Sequence, residues 1–153
     1  MKAITLWQPY ASLVAIGAKQ NETRSWATKY RGPLAIHAAM NMPKWVKKLL
    51  PGFARLIGIK EYNGSWLYYL EHGSGPFGKV VAIGNLVDCV PITPEFVANL
   101  SEQEKAFGDY TPGRFAWILE DVRRFEKPVP AKGMQGLWNW DETQADGIKR
   151  IYA

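Results

Sequence analysis

Apolar positions along the chain change period repeatedly, and the changes mark the elements. Lys2 to Leu6 is a short apolar run that reads as a strand, and it ends at Trp7-Gln8-Pro9-Tyr10, where Pro9 suits the first turn of a helix. Ala11, Leu13, Val14, Ala15 and Ile16 continue as a compact apolar helix that Gly17 stops. Glu22 to Trp26 reads as extended, and a period of two then sets Glu22, Arg24 and Trp26 on one face, with Thr23 and Ser25 on the other. Gly32 to His37 is an apolar run bounded by Gly-Pro and predicts a buried strand. Met40 to Leu50 predicts a helix whose stripe of Trp45, Val46, Leu49 and Leu50 opposes Lys44, Lys47 and Lys48.

Pro51 to Glu71 has helical spacing broken by an Asn63-Gly64 turn signal, which predicts an insertion of short helices. His72 to Gly78 is too rich in glycine and proline for regular structure and reads as a loop. Lys79 to Val90 is apolar on both faces and predicts a strand crossing the core. Thr93-Pro94-Glu95 and Ser101 to Glu104 are helix starts, the second with the form of a capping box. Arg114 to Phe125 predicts another long strand, and Glu126 to Pro130 an edge segment, because two prolines do not fit a central strand. Lys132 to Trp140 is turn-rich, and Asp141 to Ala153 reads as a charged, weakly helical tail.

Composition narrows the class. Residues 1–153 suffice for one α+β domain with a core, and no apolar run approaches the ~20 residues that span a bilayer. The N-terminus carries one lysine and a short apolar run interrupted by Pro9, unlike a signal peptide, so the expected location is cytoplasmic and no membrane partner is expected. Cys89, with only His37 and His72 as other soft ligands, does not make a four-ligand zinc site, and neither metal nor cofactor is expected. A net charge of +5 favours a polyanionic partner, and aromatic residues at 13%, seven of them tryptophan, add stacking surfaces for unpaired bases.

Two stretches carry candidate chemistry. In Gly17 to Trp26, Lys19, Glu22 and Arg24 put two cations beside a carboxylate, either as a structural network or as groups that recognise a ligand by accepting and donating hydrogen bonds. In Lys132 to Trp140, Lys132, Gln135, Trp138 and Trp140 stand among Gly133 and Gly136, more polar and aromatic groups than core closure needs. His37, at a strand end, reads as structural before catalytic.

The chain resembles the ASCH domain family of the PUA-like superfamily. The residues that carry the likeness are Leu6-Trp7-Gln8-Pro9-Tyr10-Ala11, the pattern Gly17-x-Lys19-x-x-Glu22-x-Arg24, Tyr30 to His37, and Lys132-Gly133 to Leu137-Trp138. The resemblance implies a small PUA-like β-barrel of about five or six strands with surrounding helices. It also implies a cleft beside that barrel, lined by Lys19, Glu22 and Arg24, that takes RNA or a modified base. The reader expected on this basis uses Lys19, Arg24, Arg31 and Lys132 toward a backbone, and Trp7, Tyr10, Trp26 or Trp138 for stacking, with Gln8 and Glu22 in the same site.

The resemblance carries an enzymatic alternative, since the family includes amidohydrolases acting on N4-acetylcytidine and members associated with RNA cleavage. Their amidohydrolase pattern pairs a lysine with a threonine nucleophile three residues on. Here Glu22 holds that place and the threonine is Thr23, so the catalytic candidates are Lys19, Glu22 and Thr23. Glu71, Glu95 and Glu120 are the candidates for a distant carboxylate. A nucleic-acid or nucleotide reader is the first expectation and a hydrolase or ribonuclease the second.

Overall fold

A computed structural model describes residues 1–152. The elements follow as β1 (Lys2–Leu6), α1 (Tyr10–Ala15), β2 (Asn21–Arg24), β3 (Gly32–Ala38), α2 (Lys44–Lys47), α3 (Leu50–Leu56), α4 (Trp66–Glu71), β4 (Lys79–Pro91), α5 (Pro94–Ala98), α6 (Glu102–Ala106), β5 (Phe115–Pro130), β6 (Trp138–Asn139) and β7 (Arg150–Tyr152). The strands form one mixed sheet in the order β2-β5-β4-β3-β1-β6, with β7 also pairing β5. Among the named strands of the described residues, β1 and β3 are the pair that runs parallel and the others are antiparallel. Short helices cover this α+β sheet, and no helix among the described residues is long and apolar enough to cross a membrane.

The apolar runs become the two long central strands because both faces of the sheet are covered. On one face Ile4, Leu6, Leu34, Ile36, Val81 and Trp117 pack against Ala11, Val14 and Ala15 of α1. On the other, Ala3, Ala35, Ile83 and Phe125 meet Trp138 and Trp140. A third cluster joins Leu13 to the helical insertion through Val46, Leu50, Phe53, Leu67 and Phe107.

The expected barrel is not closed. The terminal strands β2 and β6 do not pair among the described residues, and the sheet is open. At the gap the Arg24 Nη2 donates to the Thr5 carbonyl at 2.9 Å, so a side chain bridges β2 to β1 where a closing ladder would run. β2 has only four residues, all paired to β5, and β6 has two, paired to Lys2 and Ala3 of β1. The seam beside Thr5 and Leu6 is therefore free.

Three local expectations also change. The helix predicted for Met40 to Leu50 is two pieces, because Pro51 lacks an amide donor and its ring would clash with a preceding turn; it sits instead in the first turn of α3. Val46 and Leu50 are buried, while Trp45 and Leu49 stand 54% and 40% exposed rather than in one buried stripe. The C-terminal segment has a 3-10 turn at Glu142–Ala145 and then the strand β7. Ser101 caps α6 by accepting the Glu104 N–H at 3.0 Å, but the Glu104 carboxylate serves the chain entering β2.

Candidate functional site

The open seam is the mouth of a cleft of about 1460 Å³, larger than the ~300–1,000 Å³ of an ordinary small-molecule pocket. β1 contributes Thr5, Leu6 and the following Trp7; β2 contributes Glu22, Thr23, Arg24 and the following Trp26. Asp109 and Arg114 come from the segment between α6 and β5, and Lys132 to Gly136 from the segment after β5.

β2 alternates as its sequence requires. Asn21 and Thr23 are buried, while Glu22 and Arg24 are half-buried on the opposite side, facing the cleft. Arg24 Nη2 donates to Glu22 Oε2 at 3.1 Å, and Glu22 Oε1 accepts the Thr23 N–H at 2.8 Å. The guanidinium is thus held by a carboxylate and a carbonyl, while its buried Nε has no partner. A fixed carboxylate acceptor beside a planar donor is suited to the polar edge of a base.

Lys19 lies beneath this pair. Its side chain is 1% exposed; Nζ donates to the Asn21 carbonyl and stands 3.8 Å from Glu22 Oε1. Burial pulls the Lys19 pKa below its ordinary value, while the carboxylates of Glu22 and Glu104 oppose that shift. Glu104 is buried and accepts from the Gln20 and Asn21 amides and from the Tyr110 hydroxyl, the last two at 2.9 Å. Its carboxylate therefore anchors the start of β2 and compensates a charge that would be costly to bury alone. Tyr10, on the cleft wall, has its pKa raised by burial and then by Glu22.

Aromatic side chains surround the fork. Trp7 and Trp45, both exposed, meet edge to face with ring centroids 5.8 Å apart. Trp26 packs edge-on against the buried Trp117 at 4.8 Å, and the Trp117 indole donates to the Trp26 carbonyl. Trp26 is just beyond β2, yet it still lines the cleft.

The wall from Lys132 to Gly136 is fastened by a polar chain. Trp138 Nε1 donates to Thr5 Oγ1 at 3.1 Å, and Thr5 Oγ1 lies 3.2 Å from His37 Nδ1. His37 Nε2 meets the Ala131 carbonyl at 2.8 Å, which requires a proton on Nε2 and leaves Nδ1 as an acceptor in the neutral ring; the single Thr5 hydroxyl proton is shared between that nitrogen and the Met134 carbonyl at 3.3 Å, which ties the wall to β1. Burial lowers the His37 pKa, against the opposing effect of the Ala131 carbonyl, and so favours that neutral form. Gly133 crosses so close that a Cβ there would fall 2.5 Å from His37 Cε1.

Of the residues anticipated from sequence, Trp7, Tyr10, Glu22, Thr23, Arg24, Trp26 and Lys132 line the cleft. Lys19 supports its floor from below. Gln8 is buried and accepts the Ser12 N–H while donating to Ser12 Oγ and the Pro76 carbonyl, so it holds the start of α1. Arg31 pairs with Asp88 outside the cleft lining, and Trp138 is core. Thr23 Oγ1 accepts the Asp109 amide at 3.3 Å. Glu71, Glu95 and Glu120 do not line the cleft; Glu71 accepts from Tyr62 instead.

Sequence reasoning did not single out Thr5, Asp109 or Arg114. Arg114 donates to the Thr23 carbonyl and pairs with Asp109 at 3.4 Å, joining two walls. Trp45 and Leu49 read as core, although Pro51 signalled the break that turns them outward.

Residues 4–129 match the ASCH domain. The chain is 27% identical over 149 residues to activating signal cointegrator 1 of Homo sapiens and, equally, to that of Mus musculus, an alignment covering 96% of this chain but only 23% of either protein. The crystal structure of ASCH from Zymomonas mobilis shares the fold with a TM-score of 0.56 and 15% identity, over 98% of this chain and 96% of that one. A second crystal structure, of a mutant of that protein, gives 0.50 at 16% identity, over 94% and 92%.

Proposed function

The chain belongs to the ASCH domain family, and on that footing we propose that residues 1–153 act as one module that reads an unpaired base of single-stranded RNA in the seam cleft. The observation that carries this reading is the Glu22–Arg24 fork, held at 3.1 Å in a cleft whose walls carry exposed Trp7, Trp26 and Trp45. Fork and rings supply the two contacts a splayed base takes, hydrogen bonds on its edge and stacking on its face. Arg24, Arg114 and Lys132 against Glu22 and Asp109 leave one positive charge in excess around the cleft, in keeping with a phosphate-bearing ligand.

The hydrolase alternative gains no comparable support. Lys19 Nζ donates to the Asn21 carbonyl, and the Thr23 hydroxyl engages the Asp109 amide rather than a base. The test is a titration of single-stranded RNA against the wild type and Glu22→Gln. Glu22→Gln keeps the shape but loses the charged acceptor, so affinity is expected to fall about tenfold, in line with ~1.5–3 kcal/mol for a hydrogen bond to a charged group. Equal affinity of the two proteins, or absence of binding by the wild type, contradicts the reading.

A further inference from the structure

We propose that the ribbon formed by β5 and β7 is a second, phosphate-binding subsite, which holds the backbone of the same RNA strand whose base enters the cleft. This inference rests on the cleft reading. Arg123 stands directly opposite Tyr152, and Phe125 directly opposite Arg150, in the antiparallel register. Directly opposed residues and residues two apart share a face, so these four form a checkerboard on one side of the ribbon. The Arg123 guanidinium lies 4.4 Å from the centroid of the Tyr152 ring, and that of Arg150 lies 5.6 Å from the Phe125 ring. Phe125 is 2% exposed beneath its arginine, whereas Tyr152 is 65% exposed and extends the surface outward.

Stacking fixes the plane of a guanidinium and leaves its N–H donors at the rim, the arrangement that receives a phosphate in two parallel hydrogen bonds. Those donors are largely uncommitted. Arg123 uses Nη2 toward Asp121 at 3.3 Å, while its buried Nε has no partner. No ion pair or side-chain hydrogen bond engages Arg150 among the described residues. Both arginines line a recess of about 250 Å³ with Met1, Gly84, Asn85 and Asp121. That volume lies below the ~300–1,000 Å³ of typical small-molecule pockets and leaves room for a phosphate group. Asp121 is the only carboxylate in its lining and is already engaged by Arg123.

The geometry relates this recess to the cleft. Met1 borders the recess and Thr5 the cleft, so the two lie roughly 13 Å apart along β1 at about 3.3 Å per residue. A strand of a few nucleotides spans that distance. A dinucleotide seated in the cleft does not need the recess.

The test uses the full chain, with uridine dinucleotide and with oligouridine of roughly 12 nucleotides, a length within the range of single-strand site sizes, titrated across a salt series. For R123Q/R150Q the dinucleotide affinity is expected to stay within twofold of the wild type. The longer oligomer is expected to bind about tenfold more weakly at low salt, and its log–log salt slope to fall by about 1.4, two phosphates at ~0.7 each. Because Arg150 covers Phe125, R123K/R150K is the companion variant: it keeps the charges and is expected to keep the slope. An unchanged slope for R123Q/R150Q, or equal weakening of dinucleotide and oligomer, overturns the subsite and leaves the cleft reading in place. Failure of the wild type to bind either ligand overturns both.

Discussion

Lys19 shows how one residue type serves two roles that sequence spacing does not separate. Its ammonium is buried near Glu22 and Glu104, and the two carboxylates offset only part of the desolvation cost, so burial still holds its pKa below the ordinary value. The result is indirect: Lys19 fixes the carboxylate that faces the cleft, rather than facing it. His37 is shifted in the same direction by burial, but across a range where it titrates near neutrality, and so gives a pH prediction. Its folded pKa is depressed below the ordinary 6.5 by burial, so the neutral ring contributes stability above pH 6.5 that is lost progressively as pH falls through that value toward the lower folded one. Unfolding free energies from urea titrations between pH 7.5 and 5.5 are expected to decline by up to ~1.36 kcal/mol per pH unit in the acid part of this range. His37→Asn should flatten that decline; a profile identical to the wild type would assign it to another group.

At the level of elements, the open seam is the decisive feature. Arg24 spans it to the Thr5 carbonyl, and the Lys132 to Gly136 segment closes over Thr5 and His37 beside it. That segment depends on Gly133, where an added Cβ would collide with His37 Cε1 at 2.5 Å and Thr5 Oγ1 at 2.8 Å. Gly133→Ala should therefore cost about 1–3 kcal/mol, as overpacking does. Hydrogen exchange should accelerate at the Ala131 amide, which donates to the Gly78 carbonyl, while the interiors of β4 and β5 stay protected; unchanged protection there would show that the wall is not held by this contact. The strands β1, β3, β4 and β5 were legible in the sequence because continuous apolar runs between turn residues leave few other choices. The open seam was not legible, since closure depends on pairing between strands far apart in the chain. Period two in β2 correctly set Glu22 and Arg24 on one face. The outward turn of Trp45 and the inward burial of Lys19 depended on partners, Pro51 in sequence and Glu104 in space, whose effect a helical stripe or a charge count does not convey.

For the whole molecule, a net charge of +5 is distributed so that the cleft carries a balanced fork with a small cationic excess, while the β5–β7 ribbon carries stacked arginines. On the proposed reading, that division would separate base reading from backbone holding. The proposal on which the others depend is that an unpaired base enters the seam between β1 and β2. Photo-crosslinking of single-stranded RNA carrying 4-thiouridine, followed by mass spectrometry of the linked peptides, tests it most directly. Crosslinks are predicted at Trp7, Trp26 or Trp45, with loss of yield in Glu22→Gln; crosslinks confined to residues outside the cleft, unaffected by that substitution, would contradict it.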